Sequence, residues 1–218
     1  MITDYNFIQD AYLKCNKFVA ETCKNRKYSD GHNHMERVAD LALNIVKNDN
    51  FDFTKEEINI IIICAWLHDV NDHKYYYEKN EQKLNDFLEK YFKKNKNLII
   101  NITERVSFSR EEKCGTEDWL EKLGKRGILM RNVVSDADKI DALDIWRCKS
   151  YNEETYPDMK EEQTIKNVIQ HCDDKLLRLK DEFIITNTGK KIAVPLHKEL
   201  VKNYNEMKQK IILTGIKK

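Results

Sequence analysis

Turn-forming residues are scarce in this chain, with six glycines and two prolines among 218 residues. A β-sandwich or barrel of that length needs a turn signal every eight to twelve residues or so, so an all-β fold is excluded and helices are expected. An excess of charge of one sign is also lacking: 38 basic side chains stand against 37 acidic ones, for a formal net charge of +1. Because lysines and arginines are interleaved with aspartates and glutamates, no extended field draws in a nucleic-acid polymer or an anionic membrane. Long apolar runs are missing as well. The most apolar stretch, Ile58–Leu67, is bounded by Glu56, Glu57, His68 and Asp69, and it is far shorter than the roughly 20 residues that cross a bilayer. The amino terminus carries early acidic residues and no basic-then-apolar export pattern, and the six cysteines form no Cys-x-x-Cys pair. Reduced thiols packed as small core residues, in a cytoplasmic protein, are the expectation.

No repeat, proline-rich linker or low-complexity tract divides the sequence, which is read as one domain over residues 1–218. Helical periodicity recurs near residues 4–24, 33–48, 55–69, 77–94, 97–108, 129–148, 161–181 and 190–213. Breaks are expected at Asp30-Gly31, in the polar run Asn48–Asp52, at Gly115-Thr116, at Gly124–Gly127 and over Tyr151–Pro157. The segment 186–195, with Gly189 and Pro195, is where a short extended piece fits best.

Three of these helices carry polar groups on apolar stripes. Val38, Leu41, Ala42 and Ile45 follow His34 at helical spacing, so His34 faces inward. In the next helix His68 and Asp69 fall at i+7 and i+8 from Ile61, on the buried side. In Val133–Leu143, Asp138 and Asp141 share the stripe of Val134, Ala142 and Ile145, whereas Asp136, Lys139 and Asp144 lie elsewhere on the wheel and are read as a mostly wet face. An ionised carboxylate buried beside an imidazole is costly without a partner, and a cation resolves the cost. Two imidazoles and two carboxylates from three core helices suit a divalent ion with positions left open for water and substrate, the arrangement of a catalytic rather than a structural metal.

The order His34-x-x-Arg37-Val38, then Leu67-His68-Asp69-Val70, then Asp136-Ala137-Asp138-Lys139-Ile140-Asp141-Ala142 resembles the HD-domain metal-dependent phosphohydrolases, in particular their small bacterial YedJ-like branch. Further signatures of that branch are Asp72-His73-Lys74-Tyr75, Ser107-Phe108-Ser109, His171-x-x-x-Lys175-Leu176-Leu177 and Thr188-Gly189-Lys190, so the resemblance spans about residues 28–205. Lys139 stands where the branch usually has Arg, which keeps the charge and loses a bidentate grip on phosphate.

The resemblance implies an all-α HD-type bundle with an HD core over about residues 28–150 and C-terminal helices, about 160–213, packed on it. His34, His68, Asp69 and Asp138 are then the ligands of one divalent ion (Mn, Mg, Co, Ni, Fe or Zn). Asp72 is the first candidate for general acid/base and His73 the second. Arg37 and Lys139 are the candidate phosphate-binding cations, ahead of Lys74, Arg147, His171 and Lys175, and Tyr151 or Tyr156 is placed to cover a substrate. The implied activity is metal-dependent hydrolysis of a small phosphate ester, a nucleotide among the candidates, by a monomer or homodimer that uses neither nucleic-acid polymer nor membrane. Two other readings stand beside it. One is a non-catalytic metal-binding helical regulator. The other is a two-metal HD phosphodiesterase or oxygenase, which needs more histidines than His73 alone between Asp69 and Asp138.

Overall fold

The computed structural model describes residues 6–26, 31–71 and 79–215. Among them there are helices and turns and no strand. The α-helices are α1 (Gln9–Thr22), α2 (His32–Asn48), α3 (Lys55–Leu67), α4 (Asn80–Tyr91), α5 (Lys96–Thr103), α6 (Phe108–Cys114), α7 (Trp119–Asp141), α8 (Ile145–Thr155), α9 (Glu161–His171) and α10 (Asn187–Gly215), with two π-helical turns, Cys172–Leu176 and Leu179–Phe183, after α9.

Helix α3 is the centre because its sequence leaves it no polar side. Every residue from Ile60 to Leu67 is buried, as a helix apolar all round must be, and α1, α2, α5 and α7 pack around it. Its start is fixed by a capping box: Thr54 Oγ1 accepts the Glu57 N–H at 3.2 Å, and the Glu57 carboxylate accepts the Thr54 N–H at 2.8 Å. Helices α2 and α7 also pack on each other. The helices that carry His34 and Asp138, and α3, which ends at Leu67 and leads directly into His68-Asp69, are thus mutual neighbours.

Several boundaries differ from the periodicity. The expected 97–108 helix ends at Thr103, and α6 starts anew at Phe108. The expected 129–148 helix is α7 and α8, parted where the Asp144 carboxylate accepts the Trp146 N–H at 2.9 Å and caps α8. Gly124, at φ 64°, kinks α7 near its start, whereas Gly127 stays helical and lets α5 approach: a Cβ there would lie 3.3 Å from Leu98 Cδ1. Tyr151 lies within α8, so that break begins only at Tyr156.

The extended piece expected at 186–195 is instead the first turns of α10. Thr186 Oγ1 accepts the Gly189 N–H at 3.0 Å, and the Asp136 carboxylate of α7 accepts the N–H groups of Ile185 (3.0 Å) and Thr186 (2.6 Å). Capping from a neighbouring helix outweighs the breaking tendency of Gly189 and of Pro195, which lies inside α10 and forgoes one hydrogen bond. Asp136 is therefore fully buried rather than wet. Burial raises its pKa against the lowering effect of those N–H donors.

Cys15, Cys23, Cys64 and Cys172 are buried free thiols, and Cys148 is half-buried. No helix among the described residues is long and apolar enough to cross a membrane.

Candidate metal centre

Four of the expected ligands come together. His34 Nε2 lies 3.2 Å from His68 Nε2, 3.6 Å from an Asp69 oxygen and 3.5 Å from an Asp138 oxygen. His68 Nε2 is 3.7 Å from Asp69 and 3.6 Å from Asp138. The ligand atoms of His34, His68 and Asp69 all fall within 4.8 Å of one another. Both imidazoles are buried, and both carboxylates are mostly so.

The other nitrogen of each ring decides what the Nε2 atoms are. His68 Nδ1 faces the Ala65 carbonyl at 2.8 Å, and His34 Nδ1 faces Asp141 Oδ2 at 2.8 Å. A carbonyl and a carboxylate only accept, so each Nδ1 carries the proton and donates. In their neutral form both rings therefore turn a lone pair inward, toward each other and toward two anionic oxygens. Four electron-rich atoms at such spacing repel unless a cation sits among them, and this donor set, with each ring oriented by an outer partner, fits a divalent ion.

A proton is the other cation able to fill that role. Burial disfavours charge on His68, but Asp69 and Asp138 outweigh it and raise the ring's pKa to about 9. For Asp138 burial works upward, yet His68 and His34 hold it well below the usual carboxylate range. The stabilisation from protonated His68 is complete below its unfolded value of about 6.5 and is lost as pH rises through about 9. Metal-free protein is accordingly expected to lose thermal stability between those values, while its divalent-ion affinity rises by about tenfold per pH unit as the competing proton leaves. Ion titrations at several pH values check this; an affinity flat from pH 6.5 to 9 contradicts it.

Asp141 carries more of the site than its sequence position suggested. Besides orienting His34 it accepts from Arg37 Nε at 2.6 Å and Nη2 at 3.1 Å, and it pairs with Arg147 Nη1 at 3.1 Å. Burial raises its carboxyl, but His34, Arg37 and Arg147 overcome that and hold it ionised. Its i+3 spacing from Asp138 was the one signal available. Arg37, expected as a phosphate-binding cation, directs Nε and Nη2 to Asp141, the carboxylate that also holds His34.

Lys139 is not at the site. One residue beyond Asp138 is a turn of about 100° around the helix, and its ammonium points instead to Glu111 at 2.8 Å and to Ser135. It is 1% exposed, beside a fully buried Arg131 that donates to the same Glu111 oxygen at 2.6 Å and to the Arg105 carbonyl at 2.7 Å. The expected role in gripping phosphate is corrected to a buried charge network, in which burial and Arg131 both press the Lys139 pKa down. The remaining candidates Asp72, His73 and Lys74 lie outside the described residues.

A cavity of about 380 Å³ is linked to the cluster through Arg147. Arg147, which touches Asp141, lines it together with Tyr151, Tyr156, Asn152, His171 and Lys175. It opens between α8 and α9 and offers cations near Asp141 and aromatic rings from α8 and its end.

No protein-family model matches the chain, and no curated protein sequence matches it. Solved structures do resemble it. A Lactobacillus plantarum protein aligns with a TM-score of 0.68 at 22% identity, over 96% of this chain and 98% of its own. An HD-superfamily hydrolase from Bacillus thuringiensis aligns with a TM-score of 0.55 at 22% identity, over 93% of this chain and 97% of its own. The all-helical fold is thus of the HD type.

Proposed function

We propose that this chain is a divalent-metal-dependent hydrolase that cleaves a phosphate ester bond of a small molecule, a nucleotide being the substrate class that best suits its cavity. One observation carries the reading: two inward-facing imidazole lone pairs and two carboxylates converge, and Asp141, which orients His34, pairs with Arg147 of a cavity that His171 and Lys175 also line. The likeness in fold to a protein named an HD-superfamily hydrolase supports it, and the signatures shared with the YedJ-like branch point the same way.

In this reading His34, His68, Asp69 and Asp138 hold one ion. Such an ion supplies Lewis acidity toward a phosphoryl oxygen and lowers the pKa of water at neutral pH. The chain's own groups do the rest. Asp141, braced by Arg37 and Arg147, keeps the His34 Nδ1 protonated and its ring fixed. Arg147, His171 and Lys175 face the anionic phosphate, and Tyr151 and Tyr156 offer ring faces to a planar base. Asp72, the second residue past Val70, stays the first candidate to transfer a proton, with His73 after it.

The test is a panel of nucleotides and sugar phosphates supplied with Mn²⁺, Mg²⁺, Co²⁺ or Ni²⁺. Metal-dependent release of phosphate or pyrophosphate, abolished by chelation, is the expected result. Protein that binds one ion per chain yet turns over nothing across the panel contradicts the hydrolase and favours a metal-binding regulator; two ions per chain favour the two-metal reading.

A further inference from the structure

We infer that Arg26 is a positioning residue for the metal centre: its guanidinium bridges the backbone carbonyls of Asp69 and Val70 and so fixes the turn from which His68 and Asp69 present their ligand atoms. The inference rests on the reading of the cluster as a divalent-ion site, and it adds a residue that no motif in the sequence marks.

Helix α3 ends at Leu67, so the ligand pair sits where carbonyls lose their partners within the helix. Four of the nearby carbonyls are nonetheless engaged. Ala65 O accepts from the His68 ring at 2.8 Å, and Leu67 O accepts the Val70 N–H at 3.1 Å. Asp69 O accepts from Arg26 Nη1 at 2.7 Å, and Val70 O from Arg26 Nη2 at 2.8 Å and from Asn80 Nδ2 at 3.3 Å. Since Asp69 lies past the last helical residue, the ladder of α3 does not fix its backbone, and the clamp from the turn after α1 takes over that task.

The clamp is anchored firmly. Arg26 follows α1 in a turn closed by its own N–H to Cys23 O at 2.9 Å and by the Cys23 N–H to Val19 O at 2.8 Å, with Val19 and Cys23 buried in the core. The planar fork spans two successive carbonyls at once, which a lysine ammonium does not reproduce. It also sets a positive charge at the negative end of α3. A metal ligand held loosely by as little as about half an ångström loses affinity, so the effect of Arg26 is expected first in ion binding.

The experiment titrates Mn²⁺ into metal-stripped full-length wild type, Arg26→Ala and Arg26→Lys. Free Mn²⁺ is followed by electron paramagnetic resonance, and backbone amide exchange is followed in the metal-free proteins. Arg26→Ala is expected to bind Mn²⁺ about 10- to 100-fold more weakly, with Arg26→Lys in between. Exchange is expected to quicken around residues 68–71 while α2 keeps its protection, a local effect that general destabilisation does not produce. Wild-type affinity in Arg26→Lys and Arg26→Ala overturns the inference, and if Arg26→Ala does not fold, wild-type affinity in Arg26→Lys alone does so. Wild type that binds no Mn²⁺ overturns the metal-site reading instead, so the two failures are distinct.

Discussion

Asp69→Ala is expected to abolish metal-dependent turnover, lowering kcat/KM by roughly a thousandfold or more, while the helical content stays that of wild type. Asp69 is mostly buried, and its side chain faces both imidazole Nε2 atoms. Removing it deletes a ligand and leaves Asp138 as the anionic neighbour of His68 among the described residues. In the metal-free protein the substitution removes a carboxylate that favours protonated His68 and also relieves its repulsion with Asp138; the two effects oppose each other, so the apo form is expected to melt a few degrees below wild type, on the order of 1 kcal/mol. Far-ultraviolet circular dichroism, a melt and a turnover assay on one sample separate the two effects. A variant that keeps wild-type kcat/KM removes Asp69 from the site; one that unfolds makes Asp69 a structural residue.

The largest effect on stability is expected at Glu111. Its carboxylate is shared by Arg131 and Lys139, two cations with essentially no solvent access. Burial alone raises the Glu111 pKa, and the two cations more than reverse it. Glu111→Ala strands both positive charges. Breaking a buried pair from one side costs about 3–5 kcal/mol, and for a chain of this length that lowers the melting temperature by on the order of 10 °C. Arg131 keeps its Arg105 carbonyl and stacks 4.1 Å from the Trp119 ring centroid, which cushions it only in part. Lys139→Met, by contrast, leaves Glu111 paired with Arg131 and fills a similar volume, so it is expected to be far milder and to leave KM unchanged. A Lys139→Met protein of normal stability with KM raised tenfold returns Lys139 to the substrate.

The contrast between Lys139 and Asp138 shows where helical spacing stops informing. Spacing put His34, His68, Asp69 and Asp138 on apolar stripes, and those stripes do meet. It also assigned Asp136 and Lys139 to solvent, on the assumption that one face of α7 is buried. In fact α2, α3, α5 and α10 all pack on α7, so its second face is buried as well, and its charges are met by the α10 amino terminus and by Glu111. A wheel gives relative directions on one helix and says nothing of how many neighbours surround it.

Local punctuation was read with similar limits. The capping box Thr54–Glu57 is a signal within four residues and marks α3 well. The start of α10 depends on Asp136, 50 residues upstream of Thr186, so Gly189 and Pro195 looked like breakers when read alone. Arg26 shows the same limit at the site itself. Its partners lie 43 and 44 residues on, and a single basic residue after a helix carries no pattern that distinguishes a clamp from a solvated side chain. Asp141 lies between these cases, flagged as an acid on an apolar stripe but assigned no partner until His34, Arg37 and Arg147 were placed around it.

The convergence of four donors on one ion is tested most directly by a crystal structure of Mn²⁺-loaded protein with anomalous diffraction. A single peak about 2.0–2.3 Å from His34 Nε2, His68 Nε2 and an oxygen each of Asp69 and Asp138 is the predicted result. A peak elsewhere in the chain, or none at saturating Mn²⁺ with these four side chains well ordered, contradicts it.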